Sequence, residues 1–235
     1  MHPNMLRLGP LDVLSMGRAD AWITVVMFHG YGADAFDLLP LSQELTNGRR
    51  VRWLFPQGVL EVPLGFHMMG RAWFPIDIDA LNQAMAQGGH RDFARERPPG
   101  MNEACMAARA MLDELNIPMG RIVLGGFSQG AMIATELALT GQEAPAGLVA
   151  FSGTLMDAPS WRRAAEKRSS VPYVQSHGRM DPILSFTAAE SLNQLLRSAG
   201  LQGSWIPFDG GHEIPRAALV QVDQLIAKLD CNKKD

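Results

Sequence analysis

"IVLGGFSQGAM", residues 122–132, runs from an apolar stretch through two glycines to a serine, then through a third glycine into more apolar residues. The stretch "RIVLG" (121–125) is short, continuous and rich in β-branched residues, as a strand covered on both faces would be. "AMIATELAL" (131–139) is an apolar helical run. A strand that turns directly into a helix brings two backbones together. Gly126 and Gly130 then supply clearance where a Cβ would clash, and Ser128 is pushed into an exposed, strained position. Two readings compete: a plain glycine turn, or a nucleophile on a sharp strand-to-helix bend. The rest of the chain separates them.

At 235 residues the chain suits a single domain spanning 1–235, with room for a large core. Hydrophobic residues at 47% and charged residues at 19% fit a globular protein and argue against disorder. A net charge of −3 gives no support to a nucleic-acid or anionic-membrane partner. The longest early apolar run, "WITVVMF" (22–28), is far short of the ~20 residues a membrane helix needs, so stable membrane insertion is not expected. Residues 1–30 lack the basic start and long apolar run of a signal peptide. Cys105, in an expected helix, and Cys231, in the polar tail, read as free thiols of a cytoplasmic protein.

Further apolar runs recur at 51–55, 147–152, 172–176 and 204–208, and "LDVLS" (11–15) suits an antiparallel edge strand. Between them lie helical faces: Ala104, Ala108, Met111, Leu112 and Leu115; Leu192, Leu195, Leu196 and Ala199, with Gly200 as a stop; and Leu219, Val222, Ile226 and Leu229 after a first-turn Pro215. Alternating strands and helices imply an α/β fold, a mostly parallel central sheet with helices on both faces. Its working loops lie at the carboxyl ends of the strands. Residues 56–100 break the rhythm, holding Pro56, Pro63, Pro75, Pro98 and Pro99 with no clear period. This irregular excursion reads either as a wall or lid over the site or as a long surface connection.

A serine nucleophile needs a base, and the base needs an orienting acid. On a strand-turn-helix scaffold the order is Ser, then Asp or Glu, then His. Two histidines follow Ser128. His212, in "FDGGHEIP", lies after the strand "SWIPF"; His177 also follows a strand, but Asp181 comes after it, so His212 is the expected base. Asp181, on the loop after "PYVQS", is favoured as the acid over Asp209, which stands only three residues before the histidine and suits a turn. For the oxyanion, the backbone N–H of Gln129 comes with the bend, and that of Tyr31 from "MFHGYGAD" (27–34) is the second candidate. His29 reads as a buried, hydrogen-bonded scaffold residue. Phe66, Met68, Met69, Trp73 and Phe74 would suit an apolar acyl pocket or, equally, core packing.

With these residues assembled, the chain resembles the acyl-protein thioesterase/carboxylesterase (phospholipase/carboxylesterase) family of α/β-hydrolases. The matching pieces are "FHGYGAD" (28–34), "AWFPID" (72–77), "GGFSQGAM" (125–132), "FSGTL" (151–155), "HGRMDPI" (177–183) and "GGHEI" (210–214), in family order. The resemblance implies a triad of Ser128, Asp181 and His212, an oxyanion hole from Tyr31 and Gln129, and Trp73 and Phe74 as a substrate-side aromatic pair. It also implies hydrolysis of small-molecule carboxylic esters or thioesters through an acyl-enzyme, with no metal or organic cofactor. Some members dimerise, so a homodimer is an open expectation. Tyr31 stands where a small or aliphatic residue is common, "PILSF" after Asp181 lacks a frequent second proline, and residues 79–100 carry no family motif. A dienelactone-hydrolase-like or small peptidase-like enzyme, and a non-catalytic binding protein on the same shell, are the alternatives. A dienelactone-hydrolase-like enzyme usually carries cysteine at the bend, and a degenerate triad would mark the binding protein.

Overall fold

Uninterrupted apolar strands are stable only when helices cover both faces of their sheet, and this chain builds that arrangement. The computed structural model describes residues 2–45, 51–65 and 67–231. In chain order the strands are β1 (Asn4–Leu8), β2 (Leu11–Met16), β3 (Ile23–Phe28), β4 (Val51–Pro56), β5 (Leu60–Gly65), β6 (Met68–Ala72), β7 (Ile122–Phe127), β8 (Gly147–Phe151), β9 (Pro172–Gly178) and β10 (Gln202–Phe208). The helices are α1 (Leu41–Glu44), α2 (Ile78–Ala86), α3 (Met101–Glu114), α4 (Gln129–Thr140), α5 (Ala158–Ala165), α6 (Phe186–Ser198) and α7 (Arg216–Cys231). The main sheet has the order β1-β2-β4-β3-β7-β8-β9-β10. From β4 to β10 neighbours pair in parallel, whereas β2 and β1 are antiparallel.

The parallel strands β3, β4, β7, β8 and β9 each serve two cores. On β3, Val26 and Phe28 join the core under α3 to α6, while Ile23, Val25 and Met27 join the core under α1 and α7. The expected helical faces are in place: Ala104, Ala108, Met111 and Leu112 are buried, as are Leu192, Leu195 and Leu196. Gly200 ends α6 at φ 88°, a left-handed position that favours glycine.

Four expectations need correction. The 11–15 strand is not the edge, because β1 pairs outside it through a tight turn at Gly9 and Pro10, with Gly9 at φ 52°. Cys231 ends α7 rather than lying in a tail, and His177 lies on β9 itself rather than after a strand. The 56–100 excursion is only partly irregular. It holds an antiparallel β5–β6 hairpin and the surface helix α2, none of whose residues is buried.

Helix α4 is buried at every position from Gln129 to Leu139, and it includes an acid, Glu136. That carboxylate is held by Arg97 Nη2 at 3.0 Å and by the indole N–H of Trp161 at 2.6 Å. Arg97 thereby ties the end of the excursion to the central helix. Removing one partner of such a pair leaves a buried, uncompensated charge. Arg97→Ala therefore lowers stability by about 3 kcal/mol, read as a reduced urea midpoint; an unchanged midpoint would show the pair to be idle.

Candidate active site

The carboxyl ends of β3, β7, β9 and β10 lie along one edge of the sheet, and each delivers part of the site. Ser128 joins β7 to α4 at φ 54° and ψ −119°. A non-glycine residue in this region is strained, and it is held here from both sides. Its backbone N–H donates to Phe151 O at 2.9 Å, and its carbonyl accepts from Ala131 N–H at 3.0 Å. A Cβ at Gly126 would run into the Gly130 backbone, and one at Gly130 into the Phe28 carbonyl. The glycines provide the clearance expected of them, and the Ser128 side chain makes no capping hydrogen bond to α4.

The loops after β9 and β10 are joined by backbone hydrogen bonds. Arg179 N–H donates to Phe208 O at 2.8 Å, and Met180 N–H to Gly210 O at 3.0 Å. A Cβ on Gly178 would collide with the carbonyls of Gly210 and Gly211, so the two loops approach this closely only at glycine. The result brings Asp181 and His212 together, with Asp181 Oδ2 2.7 Å from His212 Nδ1. A carboxylate oxygen facing Nδ1 assigns the proton to that nitrogen and leaves Nε2 an acceptor. The Phe127 ring, next to Ser128, lies 4.8 Å from the His212 ring. Asp209 is not part of this group, since its exposed carboxylate faces Arg179 Nε at 3.6 Å.

Asp181 Oδ1 accepts the backbone N–H groups of Ile183 at 2.8 Å and Leu184 at 3.0 Å. Burial by itself pushes this carboxyl up, but hydrogen bonds from His177 and His212, the His212 charge and the Leu184 amide outweigh it. Its pKa therefore lies well below the ordinary carboxylate value. A depressed native pKa stabilises the fold fully above the unfolded value, 3.8, and that contribution is lost as pH falls below it. Below pH 3.8 the parent should consequently lose stability more steeply than Asp181→Asn, as followed by urea melts across the acid range. Parallel pH profiles for the two proteins would contradict this.

The loop after β3 carries Tyr31. Among the described residues, neither the Tyr31 nor the Gln129 backbone N–H has a hydrogen-bond acceptor. His29 lies beneath them. Its Nε2 accepts Gly58 N–H at 2.9 Å, so Nδ1 carries the proton to Gly30 O at 2.7 Å. Both nitrogens are occupied, and burial lowers the pKa of the ring, as suits a scaffold residue.

Trp73 and Phe74, expected on the substrate side, are both 0% exposed. Trp73 packs edge-on to Phe28 at 5.1 Å and donates its indole N–H to His29 O at 2.9 Å. The Gln129 amide clamps the pair, accepting Trp73 N–H at 2.8 Å and donating to Phe74 O at 2.7 Å. The two rings are therefore core residues that support the Tyr31 and Gln129 loops from behind. The surface beside the site comes instead from the hairpin. Gly32 N–H donates to Arg71 O and Arg71 N–H to Ala33 O, each at 2.8 Å, and a Cβ on Gly70 would strike the Gly32 backbone. Gly32, Ala33, Phe36, Leu64, Met68 and Met69 line much of a cleft of about 560 Å³. Phe66 lies outside the described residues. Sequence reasoning also missed His90, whose Nε2 is 2.8 Å from the Asp181 carbonyl oxygen. Among the described residues, no group of three or more His, Cys, Asp or Glu side chains is placed to hold a metal ion.

Residues 13–230 match the family model described as phospholipase/carboxylesterase, nearly the whole chain. The chain belongs to the phospholipase/carboxylesterase family. It is similar to acyl-protein thioesterase 1 of Schizosaccharomyces pombe, 27% identical over 193 residues that cover 80% of this chain and 81% of that one. A similar likeness, 28% over 185 residues covering 75% and 74%, holds for acyl-protein thioesterase 1 of Cryptococcus neoformans. Among solved structures, that of esterase PE8 superposes with a TM-score of 0.74 and 25% identity, covering 95% of this chain and 100% of that one. Family membership makes the chain an α/β-hydrolase of the esterase and thioesterase kind. No described helix is long and apolar enough to cross a membrane.

Proposed function

We propose that the protein hydrolyses carboxylic esters or thioesters through an acyl-enzyme on Ser128, with His212 as base and Asp181 as orienting acid. The observation that carries this is the 2.7 Å contact between Asp181 Oδ2 and His212 Nδ1, on loops packed beside the strained Ser128 bend. With Nδ1–H held by Asp181, the Nε2 lone pair of His212 takes the Ser128 proton as Oγ attacks the acyl carbonyl. The negative charge then developing on the carbonyl oxygen is met by the Tyr31 and Gln129 N–H groups. His212 returns the proton to the departing alcohol or thiol. Water, losing a proton to the same nitrogen, attacks the acyl-enzyme, and the proton goes back to Ser128 as the acid leaves.

The β5–β6 hairpin serves as a wall of the site in this reading. Phe36, Leu64, Met68 and Met69 are exposed beside the Tyr31 loop and suit the apolar part of a small-molecule ester or thioester. The unpaired Cys105 and Cys231 suit the cytoplasm. A panel of p-nitrophenyl esters and acyl thioesters of increasing chain length, run with Met69→Asp, tests the wall: activity on longer chains falls several-fold while acetyl turnover holds. Equal losses at every length would place the acyl group elsewhere.

A further inference from the structure

Two imidazoles converge on one carboxylate oxygen. His212 Nδ1 lies 2.7 Å from Asp181 Oδ2, and His177 Nε2 lies 3.2 Å from the same atom. His177 is wholly buried near the end of β9, four residues before Asp181. Its Nε2 is also 3.0 Å from Leu184 O. Both neighbours are acceptors, so the proton of neutral His177 sits on Nε2, hydrogen-bonded to Leu184 O and 3.2 Å from Asp181 Oδ2. Its Nδ1 is buried with no hydrogen-bond partner among the described residues. A half-satisfied imidazole is a costly way to fill core space, and an aliphatic side chain would avoid that cost. What the imidazole adds is an N–H tied to Leu184 O and lying within 3.2 Å of Asp181 Oδ2.

We propose that His177 is a positioning residue, which donates its Nε2–H to Asp181 Oδ2 and so fixes the carboxylate against His212. The inference rests on the triad reading given under Proposed function. With His177 in place, the Ile183 and Leu184 amides hold Oδ1, His212 holds Oδ2, and the His177 Nε2–H lies against Oδ2 at 3.2 Å. Without it, Oδ2 keeps one donor, the carboxylate plane is freer to turn, and more negative charge faces His212. Two consequences follow. The imidazole is less well aimed at Ser128, which lowers kcat, and its protonated form is held more tightly, which moves the acid limb of kcat/KM to higher pH. The other charged or titratable groups around this loop leave Oδ1 and Oδ2 alone. His90 reaches the Asp181 backbone carbonyl, and Arg179 lies over the Phe186 ring and pairs with Asp209.

The test compares His177→Leu, His177→Asn and His177→Gln on one p-nitrophenyl ester across pH, with Ser128→Ala and His212→Ala in parallel. Glutamine carries an amide N–H₂ near the Nε2 position, whereas asparagine stops short at Nδ1 and serves if the leucine variant does not fold. Leucine and asparagine lower kcat about tenfold with KM within about twofold, and raise the acid limb by about half a pH unit. Glutamine recovers most of both. Parental kcat and a parental acid limb in a folded His177→Leu or His177→Asn variant would overturn the inference, as would a glutamine variant no better than leucine. If Ser128→Ala or His212→Ala keeps parental turnover, the triad reading itself fails. If those two are inactive while His177→Leu is parental, only the role of His177 fails.

Discussion

Ser128→Ala should lose ester hydrolysis by about 10⁴–10⁶ in kcat while still folding. The large figure follows from the chemistry: without Oγ there is no acyl-enzyme, and the remaining site can only polarise a bound carbonyl towards water. The Tyr31 and Gln129 amides remain, so residual turnover above the uncatalysed rate is expected and KM changes little. Alanine suits the position structurally, because the Ser128 side chain makes no capping bond that the fold would miss. Stopped-time assays on p-nitrophenyl acetate, with thermal melts as the fold control, measure both halves. A folded variant with parental kcat would remove Ser128 from the chemistry.

Asp181→Asn carries the second large effect, about 10⁴ in kcat. Asparagine has nearly the same shape, so the loss comes from hydrogen-bond polarity. The Ile183 and Leu184 amides claim the side-chain oxygen, which turns the N–H₂ group towards His212 Nδ1. Two donors cannot face each other, so His212 gives up its Nδ1 proton and carries it on Nε2 instead. That nitrogen then has no lone pair for the Ser128 proton. The loss should ease at high pH, where hydroxide bypasses the base. Asp209→Asn should stay within about twofold of the parent, because its carboxylate is exposed on Arg179. The reverse ranking of the two variants, from kcat at neutral pH, would assign the acid wrongly.

Five of the strands could be read from the sequence because burial on both faces leaves nothing for polarity to alternate with; β3 and β8 are buried at every position. β10 was read from its apolar run although it is only partly buried. β1 escaped notice because its edge position leaves it largely exposed, a pattern no different from a loop. The β5–β6 hairpin was hidden for a further reason. Its strands contain Pro63, a register irregularity and exposed Met68 and Met69, and it is held in place by hydrogen bonds to residues 32 and 33, far away in the chain.

The same division runs through the site. In the candidate site, the Ser128 bend with its two glycines and the pairing of Asp181 with His212 were legible because local backbone demands and chain order both point to them. His177, Gln129's side-chain clamp and the Arg97–Glu136 pair were not, because a buried polar group is explained only by its partner, and those partners come from other elements. For Trp73 and Phe74 the sequence left pocket lining and core packing equally open, and both rings are 0% exposed.

The central claim is a covalent acyl group on Ser128, and intact-mass analysis of enzyme quenched during turnover of a p-nitrophenyl ester tests it most directly. The expected result is a mass gain of one acyl group, mapped to the peptide holding Ser128 and absent from Ser128→Ala. Steady turnover with no adduct on any residue, or an adduct on another side chain that persists in Ser128→Ala, would contradict it.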